Sequence, residues 1–393
     1  MPRIADALER ESRTVDLERG DFERLLGRRE RKQRNRRIRA GALGVSVALV
    51  MGVILARSMM AADPIPADPP VEPTPAPAPA APGTLAYELD GDIYVADPDG
   101  SNAVKIANGL PDGEDCADHP DRGTYGAEGP MWSPDGRYLA FRYGDCSNPE
   151  LEGGVISDAE GNVLATFPRE GWEIAWSPDS TRVAVWDVTF ETIGVYGLDG
   201  ARQAKLTMPP GWTPSGDHDP KWMPDGTSVW VENWELPLDG SAPRELPALG
   251  GDPYATYSPD GSLVAYSTNG SLTVARSDGS EPREVFDEGS YGGDWGHPWS
   301  ATGDRIAFAT SGRGSAWWSA ELRVVDVAAG SVTLLTEGER GVSLHAIGFS
   351  PRGDRILFRK DEGRVDSLWS IGVDGSDARL VVAGAWQGEW LST

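Results

Sequence analysis

Short apolar segments separated by turn-forming residues fill the chain from residue 84 onward. Six times, an aromatic residue precedes a four-residue turn and then an apolar segment that is typical of a β-strand. The aromatic residues and their turns are Trp132-SPDG, Trp176-SPDS, Trp222-MPDG, Tyr257-SPDG, Trp299-SATG and Phe349-SPRG. Pro and Asp favour such turns, and Gly adopts the positive φ that they require. Each copy therefore predicts two antiparallel strands joined by a tight turn.

A second turn signature follows each copy, for example LPLDGSAPREL and ARSDGSEPREV, and it predicts another pair of strands. The aromatic residues lie 35 to 50 residues apart, which is the length of one four-stranded propeller blade. Residues 84–107 supply three strands without a preceding aromatic residue, whereas the segment from Trp386 to Trp390 resembles a first strand with no blade after it. We therefore predict an all-β, seven-bladed β-propeller in which the C-terminal strand is the innermost strand of the N-terminal blade.

The repeated aromatic-SPDG pattern resembles the WD-like repeats of TolB-type β-propellers, and it covers roughly residues 84–392. The fifth and sixth copies, SATG and SPRG, depart from SPDG but keep the turn-forming Gly. The resemblance implies the propeller fold and a scaffold that binds other molecules. By this resemblance we expect the chain to be a bacterial, membrane-anchored member of that family.

Residues 40–56 contain no charged side chain and lie between Arg39 and Arg57. With flanking residues they predict a single transmembrane helix at 38–62. Lys and Arg are concentrated at positions 28–39, so the positive-inside rule places the basic segment 1–37 in the cytoplasm and the rest outside it.

A cleaved signal peptide and a buried core helix are the alternatives for the apolar segment. Residues 1–37 would supply topogenic charge or dock a cytoplasmic partner.

Residues 63–83 contain nine prolines and no hydrophobic periodicity. Proline favours the polyproline II conformation, which would give this stalk a reach of about 65 Å. We therefore predict four parts: a cytoplasmic segment at 1–37, the membrane span at 38–62, the stalk at 63–83 and the propeller at 84–393.

The net charge of −25 is unevenly distributed, since residues 1–60 carry +6 and the remainder −31. An acidic folded domain repels nucleic acid and anionic lipid, so we expect neither as a ligand of the propeller. We expect it to bind a protein or a cell-envelope component.

All four histidines fall in what we interpret as inter-blade loops on one face, and three of them lie two to four residues before one of the repeated aromatic residues. With acidic neighbours they predict a polar site at the mouth of the central channel: His119, His218, His297, His345, Asp219 and Asp294. The alternative is that these polar residues cap the inner strands. Trp212 and Trp295 lie in the same loops, where they would contact a partner or pack between blades. We predict no metal and no cofactor.

The two cysteines, Cys116 and Cys146, lie in loops that the topology places on the same face. Export from the cytoplasm would favour a disulfide between them. Two free or metal-binding thiols are the alternative, although the spacing lacks a CxxC motif.

No motif of a serine hydrolase, zinc protease or nucleotide-binding loop occurs in the chain. We therefore predict a non-enzymatic, membrane-tethered scaffold. The alternative is an extracytoplasmic hydrolase or lyase that uses histidines and carboxylates at the channel mouth.

Overall fold

The computed structural model describes twelve ranges of the chain. They are residues 76–107, 126–144, 153–168, 174–187, 190–213, 219–246, 255–268, 271–287, 298–311, 319–339, 341–363 and 365–392. Within them, no helix has the length and apolar character needed to cross a membrane. The predicted span at 38–62 lies outside these ranges.

The described strands form seven antiparallel sheets, which are the seven blades of a propeller. We number the blades along the chain and give each one from its innermost strand outward. Blade 1 contains β27 (Gly388–Trp390), β1 (Leu85–Leu89), β2 (Asp92–Ala96) and β3 (Val104–Ala107). Blade 2 contains β4 (Gly126–Trp132), β5 (Leu139–Gly144), β6 (Gly153–Ser157) and β7 (Val163–Pro168). Blade 3 contains β8 (Ile174–Trp176), β9 (Arg182–Trp186), β10 (Thr192–Gly197) and β11 (Arg202–Thr207).

The remaining blades follow in the same order. Blade 4 contains β12 (Lys221–Trp222), β13 (Ser228–Val231), β14 (Trp234–Pro237) and β15 (Arg244–Glu245). Blade 5 contains β16 (Thr256–Tyr257), β17 (Leu263–Thr268), β18 (Ser271–Arg276) and β19 (Arg283–Asp287). Blade 6 contains β20 (Arg305–Ser311), β21 (Ser319–Asp326) and β22 (Val332–Glu337). Blade 7 contains β23 (Ser343–Phe349), β24 (Arg355–Asp361), β25 (Asp366–Gly372) and β26 (Arg379–Ala383).

Blade 6 differs from the predicted four-stranded pattern. Its first position is represented by an isolated bridge between Trp299 and Ile306, to which the backbone N–H of Ala307 adds a hydrogen bond with the carbonyl of Pro298. Pro298 has no N–H to donate, which limits the ladder at this position.

The C-terminal strand closes the ring as predicted. Strand β27 pairs with β1, with Leu85 opposite Trp390 and Tyr87 opposite Gly388. The indole N–H of Trp390 also donates to the carbonyl of Pro98, at 3.0 Å. The first blade therefore combines residues from both ends of the described chain, which removes an open edge from the ring.

Each SPDG turn places its polar residues against its own backbone. In blade 2, Gly136 N–H donates to the carbonyl of Ser133, and Ser133 Oγ donates to Asp135 Oδ1 at 2.8 Å. Gly136 adopts φ of +69°, where a β-carbon would be strained. The same Ser–Asp bond recurs between Ser258 and Asp260. These turns and those between third and fourth strands lie on one side of the ring, which we call the turn face; the opposite side is the loop face.

The repeated tryptophans join neighbouring blades through hydrogen bonds. Trp176 donates its indole N–H to the carbonyl of Met131 at 3.0 Å, and Trp222 donates to the carbonyl of Ala175 at 2.9 Å. In both cases the acceptor belongs to the inner strand of the preceding blade. At these two copies the aromatic residue therefore serves both as apolar packing and as a hydrogen-bond donor across the blade interface.

The apolar core is divided among the interfaces between blades. Among the described residues, seven buried clusters occur, one at each of the seven interfaces. At the interface of blades 1 and 2, for example, Ile93 and Leu139 are fully buried with Trp132 and Leu391. Because a single blade has two apolar faces, only the closed ring removes all of them from water.

The end of the predicted stalk contacts the turn face. Ala80 N–H donates to the carbonyl of Gly136 at 2.8 Å, and Arg137 Nη1 donates to the carbonyl of Pro77 at 3.1 Å. Gly83 N–H then donates to the carbonyl of Leu391 at 2.8 Å. Residues 77–83 therefore pack on the propeller beside the closing strand.

Candidate binding site at the channel mouth

A cavity of about 290 Å³ lies among the inner strands of several blades. Its walls come from the inner strands β4, β8, β23 and β27, from the second strands β5 and β24, and from the residues just before β12 and β27. Since each inner strand runs from the loop face to the turn face, most of these residues lie toward the loop-face end of the channel. The lining residues are Gly129, Pro130, Met131, Arg142, Ile174, Asp219, His345, Ala346, Ile347, Arg359, Trp386, Gln387, Gly388 and Glu389.

Two of the inner strands are irregular where they line this cavity. The register between β4 and β5 shifts between Glu128 and Met131, and the register between β23 and β24 shifts between Ala346 and Gly348. The pairings of the other described inner strands show no such shift. Bulges re-aim side chains and are frequent beside functional sites. The two bulged strands flank β27, so the irregular backbone surrounds one place in the ring.

The arginines of the cavity are paired with acidic side chains. Arg142 Nη2 lies 3.2 Å from Glu128 Oε2, and both side chains are largely buried. Arg359 Nε lies 3.6 Å from Asp366 Oδ1. These contacts balance the arginine charges and hold both guanidinium groups in the cavity wall.

Arg359 also stacks on an exposed aromatic ring. Its guanidinium carbon lies 5.2 Å from the ring centroid of Trp386, which is 40% exposed. An arginine over the face of tryptophan forms a cation–π contact. The pair therefore presents an ordered apolar and cationic surface at the cavity.

Two glutamates beside the cavity have strongly raised pKa values. Burial raises the pKa of Glu389 to about 7, even though its carboxylate accepts the backbone N–H of Trp132 at 2.8 Å. Burial, together with the nearby charge of Glu128, raises the pKa of Glu88 to about 7. Both carboxyl groups can therefore exchange a proton near neutral pH.

The structure brings two of the predicted site residues together. Asp219 and His345 both line the cavity. The prediction that His345 lies in an inter-blade loop is wrong, because β23 begins at Ser343 and His345 pairs with Arg359 of β24. Its position within a bulged strand, rather than a loop, places it in the channel wall.

For Trp212, the sequence left open contact with a partner or packing between blades. Its ring stacks on Trp186 with centroids 5.5 Å apart, and its indole N–H donates to Glu232 at 3.2 Å. It belongs to the partly buried residues around the cluster between blades 3 and 4. Packing between blades accounts for these contacts.

The other predicted site residues lie outside the described ranges: His119, His218, His297, Asp294, Trp295, Cys116 and Cys146. The predicted disulfide is therefore still a prediction. Within the ranges that the structure describes, no group of three or more His, Cys, Asp or Glu side chains could hold a metal ion.

Five of the polar, charged or aromatic residues that line the cavity were not predicted from the sequence: Arg142, Arg359, Trp386, Gln387 and Glu389. A signal for three of them was present. Residues 386–389 precede the final tryptophan of the closing strand, just as His345 precedes Phe349. Positions before an inner-strand aromatic face the same end of the channel.

No protein-family model matches this chain, and no curated protein matches it. Solved propeller structures do. TolB from Acinetobacter baumannii aligns with 15% identity over 78% of this chain and 66% of its own length, with a TM-score of 0.46. An oligogalacturonate lyase from Vibrio parahaemolyticus aligns with 17% identity over 73% of this chain and 85% of its own, with a TM-score of 0.49. A putative 6-phosphogluconolactonase from Bacteroides uniformis aligns with 14% identity over 78% and 98%, also with a TM-score of 0.49.

Proposed function

We propose that this chain is a membrane-tethered scaffold whose propeller binds a protein or envelope component outside the cytoplasm. The observation that carries the proposal is the cavity at the channel mouth, with the exposed Trp386 stacked on Arg359 beside it. Tryptophan and arginine are enriched among the residues that dominate binding energy in protein interfaces. Arg359 is held by strand β24, and Trp386 lies just before the closing strand β27, so neighbouring blades position the pair.

The tether in this proposal is the apolar segment 38–62, with residues 1–37 in the cytoplasm. The charge pattern of the sequence supports this orientation. Fractionation of cells that express the full chain tests it. We expect the full chain in the membrane fraction and a chain lacking residues 1–62 in the soluble fraction; full-length protein in the soluble fraction would contradict the anchor.

Site-specific photo-crosslinking tests the binding surface. We would replace Trp386 with the photoreactive amino acid p-benzoylphenylalanine, which keeps an aromatic side chain at the cavity. The matched control places the same amino acid at Arg352, an exposed turn-face residue. We expect a discrete crosslinked product in whole cells from position 386 and none from position 352. Crosslinks from position 352 alone, or from neither position, would argue against this binding surface.

The raised pKa values of Glu88 and Glu389 favour a second candidate, an enzyme that uses carboxyl groups for general acid–base chemistry. Such an enzyme would be an extracytoplasmic hydrolase or lyase with histidines and carboxylates at the channel mouth. It requires at least three of His119, His218, His297, His345 and the nearby acidic side chains to converge within metal-ligand reach. Metal analysis of the purified full chain tests the metallohydrolase form, since that form predicts bound metal.

A further inference from the structure

The acidic and amide side chains on the two innermost strands of blade 1 lie on one side of the blade. Ala86 pairs with Glu389, and Glu88 N–H donates to the carbonyl of Gln387. Residues opposite each other in an antiparallel pair point to the same face, as do alternate residues of one strand. Glu88, Gln387 and Glu389 therefore lie on the same side, toward Gly129 and Arg142 of blade 2.

This group is rich in hydrogen-bond acceptors and short of donors. Glu88 Oε2 and Gln387 Oε1 are both shielded from water, and neither has a hydrogen-bond partner within the described part of the chain. Glu389 accepts one backbone N–H, from Trp132, and forms no ion pair among the described residues. Buried acceptors without donors cost free energy, and a ligand that supplies N–H groups recovers it.

The charges around Glu389 favour a cation over an anion at this position. Arg142 lies on the blade 2 side, toward which Glu389 points, and is paired with Glu128; Arg359 lines the cavity from blade 7 and is paired with Asp366. His345 and Asp219 complete the titratable lining. Glu88 lies near Glu128, whose charge raises its pKa, and near Arg142, whose charge lowers it. With these groups the wall carries more carboxyl groups than basic groups, which favours an added positive charge.

The volume of the cavity and the exposed ring of Trp386 indicate which kind of cation would bind there. A volume of about 290 Å³ is at the small end of ligand sites and fits one long side chain better than a folded segment. Trp386 offers an exposed apolar surface beside the cavity. The aliphatic stem of a lysine packs on such a surface while its ammonium group reaches polar atoms beyond it.

Building on the scaffold function, we propose that the cavity binds the primary ammonium group of a lysine side chain on a partner protein, with Glu389 as its counter-charge and Gln387 as an acceptor. An ammonium group has three donors, which match the acceptor-rich wall. Binding replaces the proton that Glu389 carries at lower pH, so it is accompanied by proton release.

Calorimetric titration of the detergent-solubilised full chain tests this proposal. The probe is the blocked tripeptide acetyl-Gly-Lys-Gly-amide, compared with analogues that carry norleucine or glutamate in the central position. We expect the lysine peptide to bind at least about tenfold more tightly than either analogue, because only it supplies an ammonium group. We also expect its affinity to rise about tenfold from pH 6 to pH 8, as Glu389 loses its proton.

Glu389→Gln is the informative variant because its amide oxygen can still accept the N–H of Trp132. We expect it to weaken lysine-peptide binding at least about tenfold and to remove most of the pH dependence. Glu160→Gln, an exposed turn-face control, should leave both unchanged. Equal binding of the lysine and norleucine peptides, tighter binding of the glutamate peptide, or no change in Glu389→Gln would overturn the proposal.

A further arm uses putrescine, a free diamine. Binding of putrescine without binding of the lysine peptide would also overturn the proposal, because the source would then be a small amine. If position 386 crosslinks a partner in cells while lysine peptides do not bind, the scaffold function stands and the lysine assignment fails. If position 386 yields no crosslink while the lysine peptide binds as expected, the scaffold function fails separately.

Discussion

Glu389 Oε2 accepts the backbone N–H of Trp132 at 2.8 Å, across a separation of 257 residues along the chain. The bond joins the closing strand β27 to the inner strand of blade 2. It places a carboxyl group with a pKa of about 7 at the junction that completes the ring. The stability of the propeller therefore depends on the protonation of this group.

We expect the free energy of unfolding to fall as pH rises from about 4.5 to about 7. Over this interval folded Glu389 retains a proton that the unfolded chain has lost, so raising the pH favours unfolding. The contribution is fully present below the unfolded pKa and is lost above about pH 7. Its upper limit is about 3 kcal/mol, because each pKa unit corresponds to about 1.4 kcal/mol.

Urea denaturation between pH 5 and pH 8 measures this effect. Glu88 acts in the same direction, so Glu389→Gln should reduce the pH dependence and the double variant with Glu88→Gln should reduce it further. If the free energy of unfolding of the double variant changes with pH as much as that of the original protein, these carboxyl groups are not the source of the pH dependence.

Trp390 and Trp386 lie four residues apart and should respond differently to truncation. Trp390 is 6% exposed within the cluster between blades 7 and 1, whereas Trp386 is 40% exposed. We expect Trp390→Ala to destabilise the propeller by about 3–5 kcal/mol, as for other buried aromatic residues. Trp386→Ala should cost less than about 1 kcal/mol. Thermal unfolding of both variants checks the prediction, and equal losses would contradict the closure by β27.

The indole hydrogen bonds between blades predict a graded response to Trp→Phe replacement. In Trp176→Phe and Trp222→Phe, the carbonyls of Met131 and Ala175 lose their indole donors. We expect each change to cost about 1–3 kcal/mol beyond the lost ring volume. Trp132→Phe is the control because the indole N–H of Trp132 has no hydrogen-bond partner among the described residues. Chemical denaturation of the three variants provides the comparison, and the expected order fails if Trp132→Phe is the most costly.

The cysteine pair gives a prediction that depends on the cellular compartment. If the propeller is exported, we expect Cys116 and Cys146 to be linked. Peptide mass spectrometry without reductant, on protein purified from the membrane fraction, should recover the linked peptides. Alkylation of both thiols in the native protein would contradict the link, and a reduced and alkylated sample is the control for peptide recovery.

The fold was predictable because its determinants are local and repeated. Turn residues such as Ser133, Asp135 and Gly136 satisfy one another within a few positions, so each copy of the repeat reveals its hairpin. The closure by β27 also followed from the sequence, because one unpaired inner strand at the C-terminus complemented a blade that lacked one. Among the described strands, the reduced first position of blade 6 departs from this pattern.

The cavity was less predictable because its side chains depend on irregular backbone. A shift of register by one residue reverses the direction of every following side chain, and β4 and β23 both shift within the cavity wall. The alternation of the sequence therefore does not show which residues of β4 and β23 line the channel, and Arg142 and Arg359 reach it from the second strands β5 and β24. The raised pKa of Glu389 likewise arises from packing between blades that are distant in sequence.

The contact of residues 77–83 with the turn face has a mechanical consequence. Tension on the chain before residue 77 would act first on the hydrogen bonds of Pro77 and Ala80 with Arg137 and Gly136. The next bond in line joins Gly83 to Leu391, directly after the strand that closes the ring. Force transmitted along the linker would thus enter the propeller at its closure, and the point of attachment is also the point at which pulling would open the ring.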